Sequence, residues 1–116
     1  MPKFMLLFRG GAVVKRNFTT EDRKAQVQKW RTWTLELQTG GHHVPAGFPL
    51  DTTGKLLSGS ERTVTDGPYG GGNDLLTGNF VLEAASLEAA TDLAKGCPIL
   101  DVDGTVEVRP ILDRPA

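Results

Sequence analysis

The sequence predicts one α+β domain with elements in the order strand, helix, strand or hairpin, strand, helix, strand. Three observations predict it. Phe4 to Phe8 is apolar at every position, the mark of a central strand covered on both sides. Two segments, Thr20 to about Gln38 and Leu87 to Lys95, combine helix-start signals with apolar residues at helical spacing. Gly78 to Glu83 and Val102 to Ile111 read as strands on either side of the second helix. A chain of 116 residues supplies one core, so residues 1–116 are read as a single domain.

The first strand places Phe4, Leu6 and Phe8 on one face and Met5 and Leu7 on the other. Gly10-Gly11 breaks it. Thr19 can cap the first helix, and Asp22 three residues on completes a weak capping box. Val27, Trp30, Trp33 (with Thr34) and Leu37 form its expected apolar stripe, and Gly40-Gly41 ends it. Val44 to Leu50 contains Pro45, Gly47 and Pro49, which suits an edge strand or a loop. Asp51 to Gly54 reads as a turn. Lys55 to Leu57 and Arg62 to Thr65 read as a small hairpin around Ser58-Gly59-Ser60. Asp66-Gly67-Pro68 and Gly70 to Asn73 mark a long loop.

Ser86 caps the second helix, with Glu88 in the first turn, where the helix dipole favours a negative charge. Leu87, Ala90, Leu93 and Ala94 form its apolar face. Lys95 lies in the last turn, Gly96 just past the end, and Pro98 blocks continuation. In the last strand Val106 and Val108 share one face, with Thr105, Glu107 and Arg109 on the other.

This order is the βαββαβ plan of ferredoxin-like folds with an inserted β-hairpin. Both helices then pack on one face of an antiparallel sheet, and the other face is left open. A first strand apolar on both sides needs cover there too. A second copy laid sheet to sheet supplies it, so a homodimer is expected.

Thirteen basic and 14 acidic residues give a net charge of −1. That balance argues against nucleic acid or a membrane surface as a partner. The apolar run at the N-terminus stops at Arg9, short of a signal peptide, and no segment reaches the length of a membrane span. Cys97 is the single cysteine, which fits a reducing compartment, and a cytoplasmic location is expected. Asn17-Phe18-Thr19 matches a glycosylation sequon and is read as chance.

Val64-Thr-Asp-Gly-Pro-Tyr69 resembles the DGPF signature of the YCII-related family, with Tyr69 in place of the usual Phe. Phe4 to Arg9, the pair Trp30 and Trp33, and the stretches Lys95 to Leu100 and Gly104 to Ile111 also resemble it, so the likeness spans residues 3 to 111. The resemblance implies a ferredoxin-like fold that pairs into a dimeric α+β barrel, with a pocket near the sheet and the DGP loop. It implies little about reaction. Most of the family has no assigned activity, a minority of related proteins act on small aromatic ring compounds, and some are fused to or encoded beside sigma factors. In the YCII branch a His on the first helix pairs with an Asp as a candidate acid–base dyad. Here Thr20 to Gln38 contains no histidine, so only Asp66 matches. The Gly-rich run after Tyr69 replaces the family's charged stretch.

Each candidate residue has a functional and a structural reading. Asp66 is a general base in a pocket or a turn-builder bonded to nearby amides. His42 and His43 replace the missing proton carrier or merely follow a helix end. No Cys or carboxylate cluster accompanies them, so no metal is expected. Arg9, Glu83, Glu107 and Arg109 come from three strands and form an anion-binding floor or a paired ion network. Tyr69 joins the ligand-binding candidates beside Asp66. Gly70-Gly71-Gly72 offers backbone amides to a phosphate but lacks the Lys and helix start of a phosphate loop, and no cofactor motif is present. Trp30 and Trp33 line an aromatic pocket or fill the core. Cys97 reads as a small buried residue.

The leading expectation is a dimeric domain that binds a small organic or aromatic molecule, with Asp66 and a histidine as acid–base candidates. The alternative is a non-catalytic interaction or regulatory module. A phosphate-binding protein comes third. Gel filtration is expected to show twice the chain mass. Leu7→Asp is expected to give monomers or aggregates, and a soluble folded Leu7→Asp monomer would contradict the covered-face argument.

Overall fold

The computed structural model describes residues 1–14 and 17–112, without the side chain of Val13. β1 (Lys3–Arg9) leads to α1 (Thr20–Thr39), the short β2 (His43–Val44), a hairpin of β3 (Gly54–Ser58) and β4 (Thr63–Gly67), then β5 (Leu76–Glu83), α2 (Leu87–Ala94) and β6 (Thr105–Pro110). Single 3-10 turns occupy Ala12–Val14, Gly72–Asp74 and Pro98–Val102. The main sheet has the order β2-β5-β1-β6 with every neighbour antiparallel. The expected ferredoxin-like α+β fold is therefore present, and β3 and β4 pair only with each other.

α1 starts as its capping signal predicts. The Thr19 hydroxyl accepts from the Asp22 N–H, and the Asp22 carboxylate accepts from the Thr19 N–H, both at 3.0 Å. It ends where Gly41 turns into the left-handed region at φ 76°, which lets the His42 N–H reach back to the Leu37 carbonyl at 2.8 Å. α2 starts on Ser86, whose hydroxyl accepts from the Ala89 N–H at 3.1 Å.

The core lies between the helices and one sheet face. Phe4, Leu6 and Phe8 of β1 point into it, as does Leu82 of β5. Trp33 and Leu37 of α1 and Ala90 and Ala94 of α2 close over them. The alanines have short side chains, so α2 sits close to the sheet. The opposite face carries Met5, Leu7 and Arg9, all half-buried. Register pairs Met5 with Val81 and Arg109, and Leu7 with Asn79 and Glu107. That face is thus apolar along β1 and charged along β6.

Four local expectations need correction. Val27 is 53% exposed and outside the packed stripe; Gln26 is buried instead, its amide donating to the Pro98 carbonyl at 2.9 Å. Leu87 of α2 is also exposed, because the first turn of that helix lies beyond the sheet-facing alanines. Residues 98–102 form a 3-10 turn, so the last strand starts at Thr105 rather than at Val102. Pro98 sets the backbone angle of its first turn, and Ile99 and Val102 are buried in the core. Asp66 and Gly67 close strand β4 and are not in a loop, since Lys55 pairs with Asp66 and Gly54 with Gly67.

The two faces of β1 predict different stabilities. Leu6 is fully buried in the core, so Leu6→Ala is expected to cost about 2–5 kcal/mol in denaturant unfolding. A cost under about 1 kcal/mol would contradict this packing.

Candidate functional site

Between α1 and the β2–β5 side of the sheet, the core is incomplete. Trp33 and Leu37 bring α1 down onto the sheet along one stripe. The neighbouring row of α1, at Val27, Arg31, Thr34 and Gln38, lines a cavity of about 770 Å³. The spacing of this row, four, three and four residues, keeps it on one helix face. The volume lies within the range of small-molecule sites.

Much of the remaining lining is apolar. Phe8 and Phe80 come from the sheet, Trp30 from α1, and Ile99 and Val102 from the 3-10 turn. The rings form a continuous chain. Phe8 meets Trp30 edge-on at 5.3 Å, Trp30 meets Trp33 at 5.6 Å, Trp33 lies 5.1 Å from Phe80, and Phe80 lies 5.5 Å from His43. The Trp33 indole N–H donates to the Leu93 carbonyl at 3.2 Å, tying α1 to α2. Trp30 therefore serves both sequence readings: it packs on core rings and faces the cavity.

The third wall is the loop after β2. Gly47, Phe48 and Pro49 run along the cavity mouth. The Phe48 N–H donates to the Asn79 side-chain oxygen at 3.0 Å, and Asn79 N–H donates to the Phe48 carbonyl at 3.1 Å. Gly47 has φ 101° and passes so close to β5 that a Cβ there would lie 2.6 Å from the Asn79 carbonyl. A glycine is thus required where the loop crosses the sheet edge. The Phe48 ring itself is 72% exposed.

The residues singled out from sequence sit elsewhere. Asp66 lies on β4, exposed, and forms an ion pair with Lys55 of the same hairpin. Tyr69 is exposed beyond the hairpin. Neither lines the cavity. His42 and His43 are half-buried: His42 Nδ1 contacts the Glu83 carbonyl at 2.7 Å, and His43 packs on Phe80, a ring that lines the cavity. On the open sheet face Glu107 joins two arginines, Arg9 at 2.9 Å and Arg109 at 3.3 Å. Glu83 pairs across from Lys3 at the other end of β1, away from this cluster. Of the four strand charges, the structure brings three together, each arginine already facing a carboxylate.

A sequence model of the YCII-related domain matches residues 9–114. The chain belongs to the YCII-related family. No curated protein matches it. For this YCII-related domain, the helix that carries a His in the YCII branch instead presents Arg31, Thr34 and Gln38 to the cavity. Sequence reading missed that row because Val27 was taken for the core stripe. The available signal was the repeat of 27, 31, 34 and 38 beside the tryptophans.

Cys97 is buried at the end of α2. Burial pushes its thiol up from 9.0 to about 12; the Ile99 backbone N–H counteracts this, and Asp101 adds to it. The folded state thus favours the neutral thiol. Its contribution to stability is complete below the unfolded pKa and is lost as pH rises from about 9 towards 12. Unfolding free energy is therefore expected to fall over that window, and Cys97→Ala is expected to flatten the fall. An unchanged slope in Cys97→Ala, or rapid thiol alkylation of the folded protein at pH 8, would contradict the burial argument.

Proposed function

We propose that this YCII-related protein is a homodimeric domain that binds a small organic molecule in the cavity between α1 and the sheet. One observation carries the reading: a preformed cavity with aromatic side chains in its wall is lined along α1 by the row Val27, Arg31, Thr34 and Gln38. Phe8, Trp30 and Phe80 suit a flat apolar body, which stacks or meets them edge-on. We assign no reaction to the site. The lining contains no carboxylate, histidine or cysteine among the described residues, so general acid–base work from the cavity wall has no carrier there.

The dimer has separate support. Met5 and Leu7 remain half-exposed on the open sheet face. The β3–β4 hairpin is exposed along both strands, with Leu57 and Val64 paired directly across. A lone two-stranded hairpin is marginal in water and gains stability by packing on a third element. The radius of gyration, 15.7 Å, exceeds the roughly 13 Å of a compact chain this long, as a projecting arm requires. A second copy offers the same apolar face and arm in return. The same features favour the second reading, an interaction module, in which the arm is the working surface and the cavity is idle.

Neutral 2-naphthol separates the two readings. It is expected to raise the melting temperature of the full chain, and Thr34→Trp, which fills the cavity from an accessible helix position, is expected to remove the rise while leaving the unliganded melting temperature nearly unchanged. No rise in the wild type, or an equal rise in Thr34→Trp, would sink the cavity as the site.

A further inference from the structure

We infer that the cavity selects organic anions, a flat apolar body carrying one carboxylate, and that Arg31 is the residue that holds the charge. This inference rests on the cavity being the ligand site and adds the chemistry of its occupant.

The polar groups of the lining divide into two sets. The first set holds the walls together. The Gln26 amide donates to the Pro98 carbonyl at 2.9 Å, and the Thr77 hydroxyl donates to the Gly10 carbonyl at 3.0 Å. The Asn79 side-chain oxygen accepts from the Phe48 N–H at 3.0 Å. These groups are committed to the protein. The second set is Arg31, Thr34 and Gln38, all on α1 and all in one row facing the cavity. None of the three forms a side-chain hydrogen bond or an ion pair among the described residues.

Arg31 is the single charged residue among the described residues that line the cavity. Its neighbours one helical turn away are Val27, Gln28, Thr34 and Leu35, so α1 offers it no carboxylate at the spacing where helix ion pairs form. Lys29, two residues before it on the same helix, differs: it reaches Asp101 at 3.4 Å. A guanidinium at the rim of an apolar cavity pairs with a carboxylate through parallel N–H donors, and it does so better where the apolar walls exclude water. The Thr34 hydroxyl, one turn along the same row, offers a further donor beside Arg31. The sheet wall, Phe8 and Phe80, carries no charge and takes the ring, with Trp30 of α1 packed against Phe8. An apolar body with an anionic head satisfies both walls at once, whereas a cation meets Arg31 with repulsion.

The test compares 2-naphthoate with its neutral isostere 2-naphthamide, by calorimetric titration of the full chain and by the Trp30 indole N–H signal, assigned with a Trp33→Phe variant. The carboxylate is expected to bind the wild type about five- to ten-fold more tightly than the amide. Arg31→Gln, at an exposed helix position, is expected to erase that preference while leaving amide binding nearly unchanged. Equal affinities in the wild type, or a preference that survives Arg31→Gln, would overturn Arg31 as the anion holder and leave the cavity standing. Binding of neither probe would overturn the cavity reading together with this one.

Discussion

The separation between α1 and the sheet is set by a chain of aromatic rings, and the site depends on it. Phe8, Trp30, Trp33 and Phe80 touch in sequence, running from the sheet through two rings of the helix and back to the sheet. Trp33 is buried and locked through its indole N–H to α2. Rings of this size hold a helix further from a sheet than the alanines that bring α2 down. Packing is therefore dense under α2 and under Leu37 but stops short beneath the next row of α1. The cavity is the space left when one helix is propped by tryptophans and the other is not.

That origin explains how its polarity is distributed. Wall residues that must hold a loop or a turn in place spend their polar atoms on backbone groups, as Gln26, Thr77 and Asn79 do. The α1 row has no such duty, because a helix satisfies its own backbone. Its side chains stay available, and one of them is an arginine with no ion-pair partner among the described residues. The free polarity of the site is thus concentrated on one row of α1.

The open sheet face follows a different logic. Register alternates its residues between strands so that Glu107 falls between Arg9 and Arg109. Exposed pairs of this kind contribute little stability. They do keep the charges of β6 neutralised beside Met5 and Leu7, so the apolar strip along β1 is bordered by a balanced rim. Meanwhile the hairpin carries the signature Asp66 away from the cavity within this chain, and binds it to Lys55.

The order of elements, both helix caps, the glycine exit of α1, the hairpin and the YCII-related membership were all legible in the chain, because each depends on local chemistry within a few residues. Trp33, Leu37, Ala90 and Cys97 were legible as core for the same reason: helical spacing or a helix end fixes their side. The tertiary structure alone decided the rest. Val27 and Gln26 exchange places because the Pro98–Val102 turn, far along the chain, offers a carbonyl to one and nothing to the other. The grouping of Arg31, Thr34 and Gln38 with Phe8, Phe80 and the Phe48 loop depends on how far α1 stands from β5, a distance set by ring packing between segments about 50 residues apart in sequence. Local pattern determines which face an element presents; what that face meets is a property of the assembled layers.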